Sequence, residues 1–216
     1  MTFELNVIFS LSIAIAASLS WTRFGQISPA YHPFVFLITL ALINEVTSMI
    51  VIRAGYSNSV NYNVYSLVEF LLITWQFKRW KLFARWKNLY VFLQVSALAF
   101  WITENFIFKN LQSFNSYFVI VSSYVIVLMS IHRINQLVHS TDELIRNAGF
   151  IICLCFVFYF TYAVLVEAFW VYGLSKSTVF VTRIYSILIY INLFINLAYA
   201  IAVLWIPAKP KFILPS

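Results

Sequence analysis

Residues 149–172 read GFIICLCFVFYFTYAVLVEAFWVY, twenty-four positions with one acid, Glu167, and no base. A helix that crosses a bilayer needs about 20 mainly apolar residues, and this run supplies them. The rest of the chain has the same character. Of its 216 residues 62% are apolar and 10% charged, against roughly 45–50% and about 25% in a soluble domain. One core of this size cannot hide so much apolar surface, so most of it must face hydrocarbon, which excludes a soluble enzyme. Four Gly and five Pro argue against disorder or a fibrous repeat. The lack of a long polar stretch predicts a single transmembrane domain over 1–216.

Seven stretches meet the length requirement, approximately 4–21, 32–52, 61–77, 88–108, 115–131, 149–172 and 178–205. They predict an all-α membrane protein of seven transmembrane helices, the third and fifth short and the seventh long enough to tilt. A closed barrel needs shorter runs with two-residue alternation, which these lack. Residues 4–21 have no basic start, carry Glu4 and show no cleavage site before a polar mature chain, so they read as a span rather than a removed signal.

Lys78, Arg79, Lys81, Arg85 and Lys87 crowd into one loop, which the excess of bases on cytoplasmic loops places inside. Arg23, Arg133, Arg146, Lys209 and Lys211 then fall on the same side, ten bases against four (Arg53, Lys109, Lys176 and Arg183). The expected topology is N-terminus out, C-terminus in. The net charge of +7 follows from orientation and contact with anionic inner-leaflet lipid, not from a nucleic-acid surface. Trp80 and Trp86 are expected at that interface, and a cytoplasmic protein partner would dock on the same loop.

Ionisable groups within spans are costly and are functional candidates by default. Of seven acids, four lie within the second, third, fourth and sixth predicted spans: Glu45, Glu69, Glu104 and Glu167, with Arg183 in the seventh. The topology puts all five in the outer half of the bilayer. Glu69 is the deepest, and Glu69 and Glu45 rank first because Glu104 and Glu167 are close enough to the outer interface to reach water. Tyr62, Tyr65, Glu69 and Gln76 share one face of the third span, with Asn61 and Ser66 at its margins. Asn44 and Glu45 precede Ser48 in the second. In the last span Arg183, Ser186 and Tyr190 lie nearly opposite Asn192, Asn196 and Tyr199, so one of these faces must meet another helix. The expected ligand-binding set is Glu69, Glu45, Tyr65, Tyr62, Asn44, Arg183, Glu104 and Glu167.

A purely structural reading pairs Glu69 or Glu45 with Arg183 and treats the Asn and Tyr groups as interhelical hydrogen bonds. Four acids against one guanidinium leave a surplus, which points to protonated Glu, a water-filled cavity or a cationic ligand. Ser116, Ser123 and Ser130 form a small-residue seam suited to close packing. Cys153 and Cys155 read as packing residues. His32, His132 and His139 lie at or beyond cytoplasmic span ends without metal-ligand spacing, so neither a transition-metal site nor a cofactor is expected.

The residues Asn61-Tyr-Asn-Val-Tyr65 with Glu69-Phe70, Asn44-Glu45, Glu104-Asn105-Phe106, Phe114-Asn115-Ser116-Tyr117 and Asn192 resemble a family of small, uncharacterised seven-helix bacterial integral membrane proteins. At the sixth span a Phe-Trp pair would be expected, where this chain has Phe150-Ile151. The resemblance implies the fold and a bacterial inner-membrane location, and attaches no activity. A retinal protein is excluded, because no Lys lies between Arg183 and Pro207. The expected function is a receptor or sensor with an outward-facing pocket for a small, cationic ligand and a separate signalling partner. A small-molecule or proton-coupled transporter, a structural membrane subunit and an intramembrane carboxylate enzyme are the alternatives. The last lacks a nucleophile or metal.

Overall fold

The computed structural model describes residues 3–108, 111–139, 143–172 and 178–209. Regular structure among them is helical: α1 (Phe3–Ser10), α2 (Ile13–Thr22), α3 (His32–Arg53), α4 (Ser59–Arg79), α5 (Lys87–Ile102), α6 (Ser116–Val138), α7 (Ala148–Val171) and α8 (Thr178–Trp205). Five segments are long and apolar enough to cross a membrane: Pro29–Arg53, Asn88–Phe108, Ser116–Val138, Ala148–Val171 and Ser186–Trp205. The chain is therefore a multi-pass membrane protein. Its wide apolar exterior, with Phe92, Phe158, Phe194 and Leu204 exposed, suits contact with lipid.

Sequence and local chemistry set the helix ends. Pro33 stands in the first turn of α3, where its missing N–H costs no helical bond. Gly55, at φ +79°, closes the other end of α3 in a left-handed conformation that a side chain would strain. The Asn147 side chain accepts from the Phe150 N–H at 3.2 Å and starts α7.

Three spans differ from the sequence expectation. The first, predicted as one helix over 4–21, is two helices interrupted at Leu11 and Ser12. There the chain makes three-residue bonds such as Ser12 N to Phe9 O (3.3 Å) and Ala14 N to Leu11 O (2.9 Å). The Ser12 hydroxyl takes the Phe9 carbonyl and competes with the helical ladder. Asn196 of α8 donates to Ser12 Oγ at 2.9 Å and to the Ser10 carbonyl at 3.4 Å. Such substitute donors are what make irregular backbone tolerable inside a bilayer. The helices at the third and fifth predicted spans are longer than expected: α4 has 21 residues and α6 has 23. Both continue past their apolar stretch into polar ends, and α6 takes in His132, Arg133 and Gln136. His132 thus lies within a helix rather than beyond one.

α4 carries too many polar residues to qualify by hydropathy, and its surroundings explain why. It packs on α3, α5 and α6, so its polar groups meet other helices instead of lipid. Asn63, fully buried, donates to Asn105 Oδ1 (2.8 Å) and the Ser113 carbonyl (2.8 Å), and it accepts from the Asn115 N–H (3.1 Å). Trp101 Nε1 donates to the Asn63 carbonyl at 2.7 Å. This knot fastens α4 to the π-helical turn Thr103–Phe108 that continues α5, and to the start of α6. α6 and α7 form the most extensive helix pair, and Ser116, Ser123 and Ser130 are all buried, as a close-packing seam requires.

One end of the bundle gathers the bases. The Arg23 guanidinium bonds the Val203 carbonyl and, at 3.5 Å, the Ile206 carbonyl at the C-terminus of α8, where cations are favoured. Arg79 bonds the Pro29 carbonyl at 3.1 Å. Arg133 lies over the Trp80 ring at 5.8 Å. Trp86 is exposed, whereas Trp80 is buried against Tyr31 and Phe77. Trp80 is therefore a packing residue at this end and not an interfacial ring.

Candidate functional site

Glu69 stands ten residues from each end of α4, Ser59 and Arg79, hence about 15 Å of helix from either side. Its carboxyl is served from within the bundle. The Tyr65 hydroxyl, one turn away on the same helix, donates to Glu69 Oε1 at 2.7 Å. Both residues line a cavity of about 60 Å³ shared with Glu45 of α3, Tyr159 of α7 and Asn192, Asn196 and Tyr199 of α8. That volume holds a few waters or a small polar group. Ser10 and Ile13, on either side of the break between α1 and α2, complete the wall, and Ser10 lies against the Glu45 carboxyl. Among the described residues lining the cavity there is no Lys, Arg or His.

The cavity ends on an aromatic floor. Phe34, Phe77 and Phe156 are fully buried. Phe34 meets Tyr199 edge-on at 5.2 Å, Phe156 meets Tyr199 at 6.3 Å, and Phe77 meets Phe156 at 6.2 Å. Below it, Gln76 is occupied structurally: its Nε2 donates to the Ala30 carbonyl (2.7 Å) and its Oε1 accepts from the Phe34 N–H (2.9 Å). Gln94 bonds Thr74. Gln76 and Gln94 are thus both occupied by contacts with neighbouring helices.

The expected site residues divide into groups. Glu45, Glu69 and Tyr65 come together in the cavity. Tyr62 and Glu167 form a separate pair, Tyr62 Oη donating to Glu167 Oε1 at 3.0 Å. They stand in a larger, mostly apolar groove of about 480 Å³ with Phe114, Trp170 and Leu188. Asn44 lies in a clamp between α3 and α4: Asn61 Nδ2 donates to Asn44 Oδ1 at 2.9 Å and to Ser48 Oγ at 3.0 Å. Glu104 is fully buried, and its two oxygens accept from the Tyr117 (3.1 Å) and Phe118 (2.6 Å) N–H groups. That is the geometry of a carboxylate capping the N-terminus of α6. The Arg183 side chain lies outside the described residues.

Tyr159, Tyr199, Asn196 and Ser10 belong to the cavity but not to the expected set. The face of α8 bearing Asn192, Asn196 and Tyr199 was one of two candidates for helix contact, and it is the one that turns inward, while Tyr190 is half-exposed. Tyr159 sits in a helix apolar on every side, where periodicity selects no face. Cys153 and Cys155 are buried free thiols. No known protein family, curated protein or solved structure matches the chain.

Proposed function

We propose that the protein is a receptor- or sensor-like membrane protein whose cavity binds a small cation. Two carboxyl groups, Glu45 and Glu69, share one cavity whose described lining offers no basic side chain, and this observation carries the reading. Tyr65, Tyr159 and Tyr199 add ring faces and hydroxyls that suit a small ammonium group. In this proposal the pair α1–α2 and the helices α3 to α8 make seven spans, with the N-terminus out and the C-terminus in. The gathering of Arg23, Arg79 and Arg133 at one end supports that orientation through the excess of bases expected inside. The ligand reaches Glu45 and Glu69 from the outer side, and the loop bearing Lys81 and Arg85 is the docking place of a separate signalling partner in the cell membrane. The aromatic floor of Phe34, Phe77 and Phe156 supports binding over passage.

A transporter is the second reading, and one feature favours it: the first span breaks beside the cavity, as the discontinuous helices of many transporters do. The test of binding uses purified full-length protein and a panel of sodium, ammonium, methylammonium, ethylammonium and tetramethylammonium chlorides. Binding to the folded state raises the unfolding temperature. The expected result is stabilisation by at least one of these cations that is lost in Glu45→Gln/Glu69→Gln. Equal responses of wild type and double variant to every salt reject the cation site.

A further inference from the structure

A second cavity touches the first. It has a volume of about 70 Å³ and is lined by Val7, Ser10 and Leu11 at the end of α1 and by Glu45, Ser48 and Ile52 of α3. Glu45 and Ser10 line both cavities. From Glu45 to Ile52 the α3 backbone climbs about 10 Å. Ile52 is half-exposed and only one residue from the helix end at Arg53. α1 makes its main packing against α8, and because it leans that way a cleft is left between α1 and α3. The break at Leu11 and Ser12 is what allows α1 to take a course of its own.

We infer that the outer cavity is an access site for the same small cation, and that Glu45 with Ser10 forms the throat between it and the deep cavity at Glu69. The two acids then have different tasks. Glu45 is reached first, from the end of the bundle where α3 stops, and draws a cation from water into the cleft. Glu69, held by Tyr65, is the deeper station. A carboxylate at the throat accelerates cations relative to neutral molecules of the same size, since a negative charge in a narrow, weakly polarisable passage raises the local cation concentration. The inference rests on the deep cavity being a cation site, but its test reads passage rather than binding, so either can fail alone.

The test places single cysteines in full-length protein carrying Cys153→Ala and Cys155→Ala, reconstituted in lipid nanodiscs so that both faces meet solvent. Ala41→Cys reports the deep cavity and Met49→Cys the outer one. Each is treated with the cationic aminoethyl methanethiosulfonate and with its neutral methyl analogue. Both positions are expected to react with both reagents. Adding Glu45→Trp should slow modification at position 41 by about tenfold or more with either reagent, a barrier increase of at least about 1.4 kcal/mol, and leave position 49 within about twofold. Glu45→Gln, which keeps the packing, covers the case in which the tryptophan variant does not fold. It should slow only the cationic reagent at position 41. The inference is overturned if position 41 reacts at the same rate whatever stands at 45. It is also overturned if position 41 is inert to both reagents, or if only the neutral one reaches it, which marks arrival through lipid.

Discussion

Tyr65 and Glu69 lie one turn apart on α4, and the tyrosine hydroxyl holds one carboxylate oxygen at 2.7 Å in the wall of the deep cavity. The contact fixes the direction in which Glu69 presents itself to the cavity. An intramolecular hydrogen bond contributes about 0.5–1.5 kcal/mol net, and more where one partner is charged. Tyr65→Phe is therefore expected to lower the unfolding temperature of the purified protein. In a double-mutant cycle with Glu69→Leu, which removes the acceptor, the two changes should show a coupling of about 0.5–2 kcal/mol. Strictly additive effects would mean that the pair does not act as a unit.

Glu104 has a different task from Glu69, although the sequence places both acids within predicted spans. Its two oxygens serve two N–H groups in the first turn of α6, groups with no helical partner of their own. Glu104→Ala strands buried donors at a cost of about 2–4 kcal/mol, and Glu104→Gln keeps one acceptor and should cost less. Thermal unfolding of the three proteins checks the order. In whatever fraction folds, the stabilisation by a bound cation should match wild type, since Glu104 does not line the cavity.

Apolar periodicity and length located α3, α6, α7 and α8, and the depth of the acids singled out Glu45 and Glu69. What stayed hidden depends on partners far along the chain. The break at Ser12 has no Pro or Gly to announce it, and the donor that serves it, Asn196, comes 184 residues later. Glu104 became a cap only through a return of the chain at Asn115. Tyr159 was unreadable for a different reason: α7 is apolar all round, so no stripe marks its inner face. Trp80 was misplaced because aromatic rings near bases usually sit at the interface, whereas here Tyr31, Phe77 and Arg133 enclose it.

The rings around Phe156 offer a test between binding and transport. Phe156 is fully buried and touches Phe77, Phe160 and Tyr199. Proteoliposomes containing wild-type protein are expected to take up radiolabelled methylammonium no faster than empty ones. Phe156→Ala removes the central ring at a cost of about 3–5 kcal/mol, and in the protein that still folds it should admit a measurable leak. Saturable uptake by the wild type would favour the transporter reading instead.

Asn196 links the break between α1 and α2 to the cavity it lines. Its amide reaches Ser12 Oγ at 2.9 Å and the Ser10 carbonyl at 3.4 Å, and Ser10 is part of both cavities. Asn196→Leu keeps the bulk and removes the donor, so the Ser10 carbonyl loses a partner where water is scarce. Interhelical bonds in membranes average under about 1 kcal/mol, with larger values up to roughly 2. The variant should therefore remain folded with a modestly lowered unfolding temperature. The sharper effect is local: amide hydrogen exchange over residues 11–15 should quicken, because the irregular turn is no longer tied to α8. Ser12→Ala removes the hydroxyl that competes for the Phe9 carbonyl and should slow exchange over the same residues as the helix becomes more continuous. Opposite signs in the two variants identify Asn196 as the support of the break and Ser12 as its local cause. Unchanged exchange in both would mean that packing of α1 on α8, rather than either polar group, sets the course of α1.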